Sequence, residues 1–259
     1  MNVTPKIIHQ TWKTHTLPPQ LAKYAKTCRD VNKTYKYILY DDNDLRNVIL
    51  NNYPQYLEKY DSFDNNIERV DFARYAILHK YGGVYADLDM ECFKSFDEHV
   101  GMNRPVFGSE PVEHREKLYE NRKIVICNAM MFSPPGDPLW IHVMDFASRN
   151  YKRGANPVFN TGPMMLTLLY ESNPRVFSNA QIVSACAFYA QSDRFTNTVQ
   201  MGIPYVSREC NLNITPPVAV HRWAHTWIPG ESSHKNDAVY YIGAIALICI
   251  LGAAVMKAT

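Results

Sequence analysis

The chain has 259 residues, with 27 Lys and Arg against 25 Asp and Glu, a net charge of +2. So even a balance argues against nucleic acid as the main partner. A hydrophobic content of 46% with 12% aromatic residues excludes a disordered chain and predicts one sizeable buried core.

In chain order, residues 6–12 and 35–40 are short apolar runs that predict strands, and 42–60 predicts a helical stretch. A helix is expected over 65–81. Asn65 followed by Glu68 forms a capping-box pattern, and Ile67, Val70, Ala73, Ile77, Leu78 and Tyr81 recur near the helical period. Gly82 supplies a left-handed stop. The segment 84–90 alternates strictly and predicts a strand. The tract 98–122 is polar, with charges of both signs, and is expected to be a surface excursion or an acceptor-side insertion. A strand at 124–132 and helices at 137–150 and 163–172 follow, the first helix entered through the turn Pro134-Pro135-Gly136. A strand is expected at 181–189. Alternation of this kind predicts an α/β fold.

The chemistry centres on Tyr85-Ala86-Asp87-Leu88-Asp89-Met90-Glu91. In a continuous strand, Val84, Ala86, Leu88 and Met90 face one side and Tyr85, Asp87, Asp89 and Glu91 the other. Asp87 and Asp89 would then stand roughly 6–7 Å apart on one face. At an effective dielectric near 20 they would repel by about 2–3 kcal/mol. A hard divalent cation offsets such repulsion. Asp71 and Arg74, one helical turn apart, border the buried face of the preceding helix. Their spacing reads first as an ordinary ion pair, and in second place as a fixed carboxylate and guanidinium that hold a polar ligand. Asp41, Asp42 and Glu91 are expected to be caps and surface charges. No Walker-type loop, Gly-x-Gly-x-x-Gly or Cys-x-x-Cys is present, and the six scattered cysteines leave reduced and partly paired states open. Acceptor sequons for N-linked glycans begin at Asn2, Asn32 and Asn213.

The run from Asp71 through Arg74, Gly82, Gly83, Tyr85 and Asp87 to Asp89 resembles the signature of the DXD-containing sugar-transferase family. That family includes initiating α-1,6-mannosyltransferases, inositol-phosphoceramide mannosyltransferases and α-1,4-galactosyltransferases. The stretches 5–13 and 37–42 are similar to its first two strands, and Asn128 to Ser133 and Thr161-Gly162-Pro163 to later blocks. Residues Ala219 to Trp227 are similar to its closing block.

The resemblance implies a GT-A type nucleotide-binding α/β sandwich with a mixed, mostly parallel central sheet. It implies a metal-dependent, retaining hexosyltransferase using Mn2+ or Mg2+. The donor would be a nucleotide sugar (GDP-mannose, UDP-galactose or UDP-glucose), and the acceptor a glycan or glycolipid. By position, Asp89 ligates the metal, and Asp87 bridges metal and donor. Asp71 and Arg74 hold the donor sugar or ribose. Trp12 lies near the base, and Tyr85 and Asn128 contribute to the donor site. Thr226 and Trp227 close over the diphosphate, with Thr226 also facing the metal. Arg222 stands where many members have a second His and could pair with phosphate. Thr226 stands for Ser, and His225 for a common Gly. A haloacid-dehalogenase-like phosphohydrolase is the alternative enzyme, although Met90-Glu91 after the second Asp departs from that pattern. A non-catalytic, membrane-anchored binding module is the other.

A catalytic domain is expected over 1–230, a polar linker over 231–237 and a transmembrane helix over 238–257. Residues 238–256 carry no charge. As a helix those residues span about 28 Å, close to a hydrocarbon core of about 30 Å. Tyr240 and Tyr241 suit the interface. With the first family strand starting close to Met1, a C-terminal anchor and a catalytic domain facing the cytosol are expected, an ER or Golgi lumenal orientation being the alternative.

Overall fold

The computed structural model describes residues 2–192, 206–214, 216–224 and 226. The elements are β1 (Ile7–Thr11), α1 (Pro19–Val31), β2 (Lys36–Tyr40), α2 (Asp42–Asn52), α3 (Leu57–Asp61), α4 (Asn66–Tyr81), β3 (Gly83–Ala86) and β4 (Met90–Cys92). They continue with β5 (Val106–Ser109), α5 (Val112–Lys117), β6 (Ile126–Ser133), α6 (Leu139–Asn150), α7 (Pro157–Asn160), α8 (Pro163–Ser172), β7 (Gln181–Val183), α9 (Ala185–Phe188) and β8 (Ala219–His221).

A six-stranded sheet runs β2-β1-β3-β6-β5-β7. β1 lies parallel to both β2 and β3, β7 is parallel to β5, and β6 is antiparallel to its neighbours β3 and β5. This mixed, mostly parallel sheet matches the expected architecture. The chain leaves β1 towards β2 and returns to place β3 on the other side of β1. Their carboxyl ends therefore flank a topological switch point, the usual crevice for ligands in such sheets.

Strand alternation sorts the core into two layers. Tyr85 and Met131 join a cluster with α2, α4, α6 and α8, whereas Val84, Ala86, Met130 and Phe132 join one with Ile8, Phe96 and Phe188. The middle of α4 is enclosed, with every residue from Asp71 to Leu78 buried. Phe72, Ile77 and Leu78 each contribute about 1.5–3 kcal/mol by that burial. Its Asn65–Glu68 capping box forms as expected, and Gly82 ends it at φ 62°. Gly83 follows at φ 95°, where a Cβ would stand 2.7 Å from the Ile7 carbonyl oxygen.

Several expectations are corrected. The alternating segment 84–90 is not one strand. β3 stops at Ala86, Asp87–Asp89 turn with Met90 N donating to Asp87 O at 3.1 Å, and β4 joins a separate two-stranded sheet with β8. The expected strand at 181–189 gives way after Val183 to α9, which Ser184 caps through Cys186 N. The helical stretch 42–60 breaks at Tyr53, where Pro54 cannot continue α2. The tract 98–122 is no mere surface excursion: it supplies β5, inside the main sheet, and α5.

Two disulfides form, Cys28–Cys92 joining α1 to β4 and Cys186–Cys210 joining α9 to the segment that follows 206. Cys127 is a buried free thiol. Asn32 is buried, with Nδ2 donating to Cys28 O and Oδ1 accepting from Phe96 N, so its sequon is closed in the fold. Asn2 and Asn213 are exposed. The tail 238–257 lies outside the described residues, and among the described residues no helix is long and apolar enough to cross a membrane.

Candidate active site

The site is built on the carboxyl end of β3, the middle of α4 and the β4–β8 pair. α4 runs alongside β3, so its buried face delivers Asp71 and Arg74 to the strand's end. Arg74 Nη2 lies 3.1 Å from Asp71 Oδ1 and Nη1 lies 3.3 Å from Asp87 Oδ1. Nη1 also donates to the Asn128 carbonyl at 2.9 Å, and the guanidinium sits 4.5 Å above the Tyr85 ring. One guanidinium thus spans both carboxylates, using the planar fork that a Lys lacks. Asp71 and Arg74 therefore form the expected ion pair, and it lies next to Asp87.

Asp71 is fully engaged. Its Oδ1 accepts from Asn128 Nδ2 at 2.9 Å and its Oδ2 from Thr161 Oγ1 at 3.0 Å. Asn128 Nδ2 also donates to the Tyr75 hydroxyl at 3.1 Å, and that hydroxyl donates to the Thr161 carbonyl. Burial raises the Asp71 carboxyl to about 6, with Arg74, Thr161 and Asn128 pulling the other way. Burial opposes the charge on Arg74, but Asp87, Tyr85 and Asp71 hold it firmly cationic.

Asp87 accepts from the Tyr85 hydroxyl at 2.9 Å, and Tyr85 in turn meets Thr11 Oγ1 at 3.0 Å. Tyr85 is fully buried, so it acts from beneath as a support for Asp87. Gln10 Nε2 donates to the Asp87 carbonyl at 3.2 Å, tying β1 to the turn. Burial raises the Asp87 carboxyl and Asp89 adds to the rise, while Arg74 opposes it.

The turn after Asp87 redirects Asp89 towards β8. His221 Nε2 bonds Asp89 Oδ1 at 3.0 Å, Ala224 N donates to Asp89 Oδ2 at 2.8 Å and Arg222 N donates to the Asp89 carbonyl. Burial alone would lower the imidazole pKa of His221, but Asp89 and then Asp87 lift it above its ordinary value. Asp87, Asp89 and His221 each offer one donor atom, all within 4.8 Å of one another. Two carboxylates and one imidazole form a donor set that suits Mn2+.

Sequence reasoning missed His221. Its only signal was membership of the closing block, because the meeting with Asp89 depends on the antiparallel pairing of β4 with β8. The other expected residues are distributed unevenly. Trp12 lies one residue beyond β1, partly buried against Leu21, Ala25 and Leu88, at the switch-point crevice. Thr226 is exposed, and Trp227 lies outside the described residues. Arg222 is already committed, to Glu91 through Nε at 2.7 Å and to Gln191 Oε1 through Nη1 at 2.8 Å. Glu91 is thus a partner of Arg222 rather than a lone surface charge. Asp41 caps α2, as expected.

Residues 18–107 match the family described as "Glycosyltransferase sugar-binding region containing DXD motif". An inositol phosphoceramide mannosyltransferase of Schizosaccharomyces pombe (number 3) is 34% identical over 172 residues, 65% of this chain and 45% of the relative. A second from the same organism (number 2) is 33% identical over 181 residues, 68% and 49% of the two chains. The matched part spans about half the length of these relatives. A solved structure described as "PaToxG Glycosyltransferase" shares the fold, with a TM-score of 0.51 and 18% identity over 68% of this chain and 74% of that one. Residues 18–107, which hold Asp71, Arg74, Asp87 and Asp89, are thus a match to the sugar-binding region of DXD-containing glycosyltransferases.

Proposed function

We propose that the chain transfers a hexose from a nucleotide-sugar donor to a glycan or glycolipid acceptor, with a divalent cation, Mn2+ or Mg2+, and retention at the anomeric carbon. The observation that carries this reading is the convergence of Asp87, Asp89 and His221 beside the Asp71–Arg74 pair. Asp87, Asp89 and His221 would hold the cation. When bound, it would supply Lewis-acid stabilisation of the leaving diphosphate. Arg74 and Tyr85 favour the charged form of Asp87 against the effect of burial and hold its carboxylate in place. Asn128 and Thr161 fix Asp71, whose position next to Arg74 suits contact with donor sugar or ribose hydroxyls. Trp12 is the candidate contact for the base, and Thr226 and Trp227 for the diphosphate. The phosphohydrolase and non-catalytic alternatives are not carried forward, because the matched region is a glycosyltransferase one.

Mannose is the first donor sugar to test, since the two relatives are named mannosyltransferases. The domain limits 1–230, 231–237 and 238–257, with a C-terminal membrane anchor, stay as part of the proposal. Two disulfides weigh towards an oxidising, lumenal setting for the catalytic domain rather than the cytosol. The experiment is a panel of GDP-mannose, UDP-galactose and UDP-glucose with Mn2+, read as thermal stabilisation of the full chain. One donor should raise the unfolding midpoint only with metal present. No response to any of the three contradicts the reading.

A further inference from the structure

His221 is held in an unusual way. Its Nε2 meets Asp89, but its Nδ1 is buried and has no hydrogen-bond partner among the described residues. A metal-facing imidazole is ordinarily oriented by a hydrogen bond at its other nitrogen, to a carboxylate, a carbonyl or water. Among the described residues no side chain or carbonyl does this for Nδ1.

A second ring lies against it. The Trp223 ring centroid is 3.9 Å from that of His221, with planes at 49°. Trp223 is itself secured on two further sides. Its Nε1 donates to the Gln191 carbonyl at 2.9 Å. Its ring meets His114 edge-on at 4.6 Å, and His114 Nδ1 bonds Glu110 Oε2 at 2.6 Å, both side chains being buried. The backbone of Trp223 is left-handed at φ 50°, which a bulky residue seldom adopts. That turn also aims Ala224 N at Asp89 Oδ2, 2.8 Å away. One residue therefore touches the imidazole with its ring and directs a backbone donor to the carboxylate beside it.

We propose that Trp223 is a positioning residue: its ring orients His221, its turn orients Asp89, and Glu110–His114 anchors it from behind. This rests on the reading of Asp87, Asp89 and His221 as a cation site. It also gives a role to a buried Glu–His pair that the transfer chemistry does not use.

The test is Mn2+ binding to the full chain, followed by the electron paramagnetic resonance signal of free Mn2+. Trp223→Leu, which keeps bulk but removes the ring, should weaken binding by about tenfold or more, the effect typical of lost outer supports. Trp223→Phe, which keeps a ring face, should restore most of the affinity. Equal binding by Trp223→Leu and the unmodified chain overturns this proposal alone. An unmodified chain that binds no Mn2+ overturns the cation site on which it rests. Proton NMR of the unmodified chain gives a reading that does not depend on any Trp223 variant folding. The His221 ring protons, assigned by their loss in His221→Gln, should be displaced upfield by the Trp223 ring current. Ordinary positions for both overturn the ring contact.

Discussion

Arg74 on α4 lies 3.3 Å from the carboxylate of Asp87 at the end of β3, joining the buried helix to the turn that carries both acidic residues of the motif. Because the same guanidinium also serves Asp71 and the Asn128 carbonyl, its loss strands two carboxylates at once. Removing one partner of a buried pair costs about 3–5 kcal/mol. Arg74→Ala should therefore lower stability by about that amount in urea unfolding. Arg74→Lys keeps the charge but loses the fork, so it should stay folded and lose about tenfold or more in turnover. Unchanged turnover in Arg74→Lys would show that the fork is not used.

Gly83 is where β3 begins, and at φ 95° it passes close to β1. In Gly83→Ala the new methyl would meet the Ile7 carbonyl oxygen at 2.7 Å in a conformation that disfavours side chains. A loss of at least about 2 kcal/mol is expected by chemical denaturation. A loss below a few tenths would mean that β1 and β3 separate freely.

His9 gives the fold an acid limit. Burial lowers its imidazole from 6.5 to about 4, and its nitrogens face Tyr40 Oη at 3.0 Å and the Gly82 carbonyl at 2.9 Å. Because the folded value lies below the unfolded one, unfolding takes up a proton between those limits. Stability is fully present above pH 6.5 and falls as pH drops towards about 4, by about 3 kcal/mol in all. Urea unfolding at steps from pH 7 to 4 should show this slope, reduced by about one proton in His9→Gln. Equal slopes would assign the acid sensitivity to other groups.

The Cys28–Cys92 bond closes a loop with a sequence separation of 64, for which chain entropy predicts a contribution of about 4 kcal/mol. It also fastens β4, immediately after the Asp89 turn, to α1. Cys28→Ser should lower the unfolding midpoint and, by loosening β4, weaken Mn2+ binding. Alkylation without reductant should leave Cys28, Cys92, Cys186 and Cys210 unlabelled. Labelling of Cys28 would contradict the pairing.

What could be read from the sequence divides along chain distance. The Asn65–Glu68 cap, α4 and the Asp71–Arg74 pair are local, settled by one or two helical turns, and the residues themselves announce them. The Asp87 and Asp89 pair itself was legible, but its geometry was not. Strict alternation predicts a straight strand, whereas the chain changes sheets there because β4 finds its partner in β8. That long-range pairing also hid His221, and Trp223 with it. α1 went unread because Pro18-Pro19 looks like a loop, although Pro is at home in the first turn of a helix. Likewise β5 was obscured by the charged residues around it, since only its four core residues enter the sheet.

The central claim is that Asp89 belongs to a cation site that serves nucleotide-sugar chemistry. Release of nucleoside diphosphate from GDP-mannose, UDP-galactose and UDP-glucose, with and without Mn2+, tests it most directly in the unmodified chain and in Asp89→Ala. The account predicts metal-dependent turnover of one donor, reduced by at least about a hundredfold in Asp89→Ala, as for loss of a principal electrostatic group. Turnover of no donor with either Mn2+ or Mg2+, or full activity in Asp89→Ala, would contradict it.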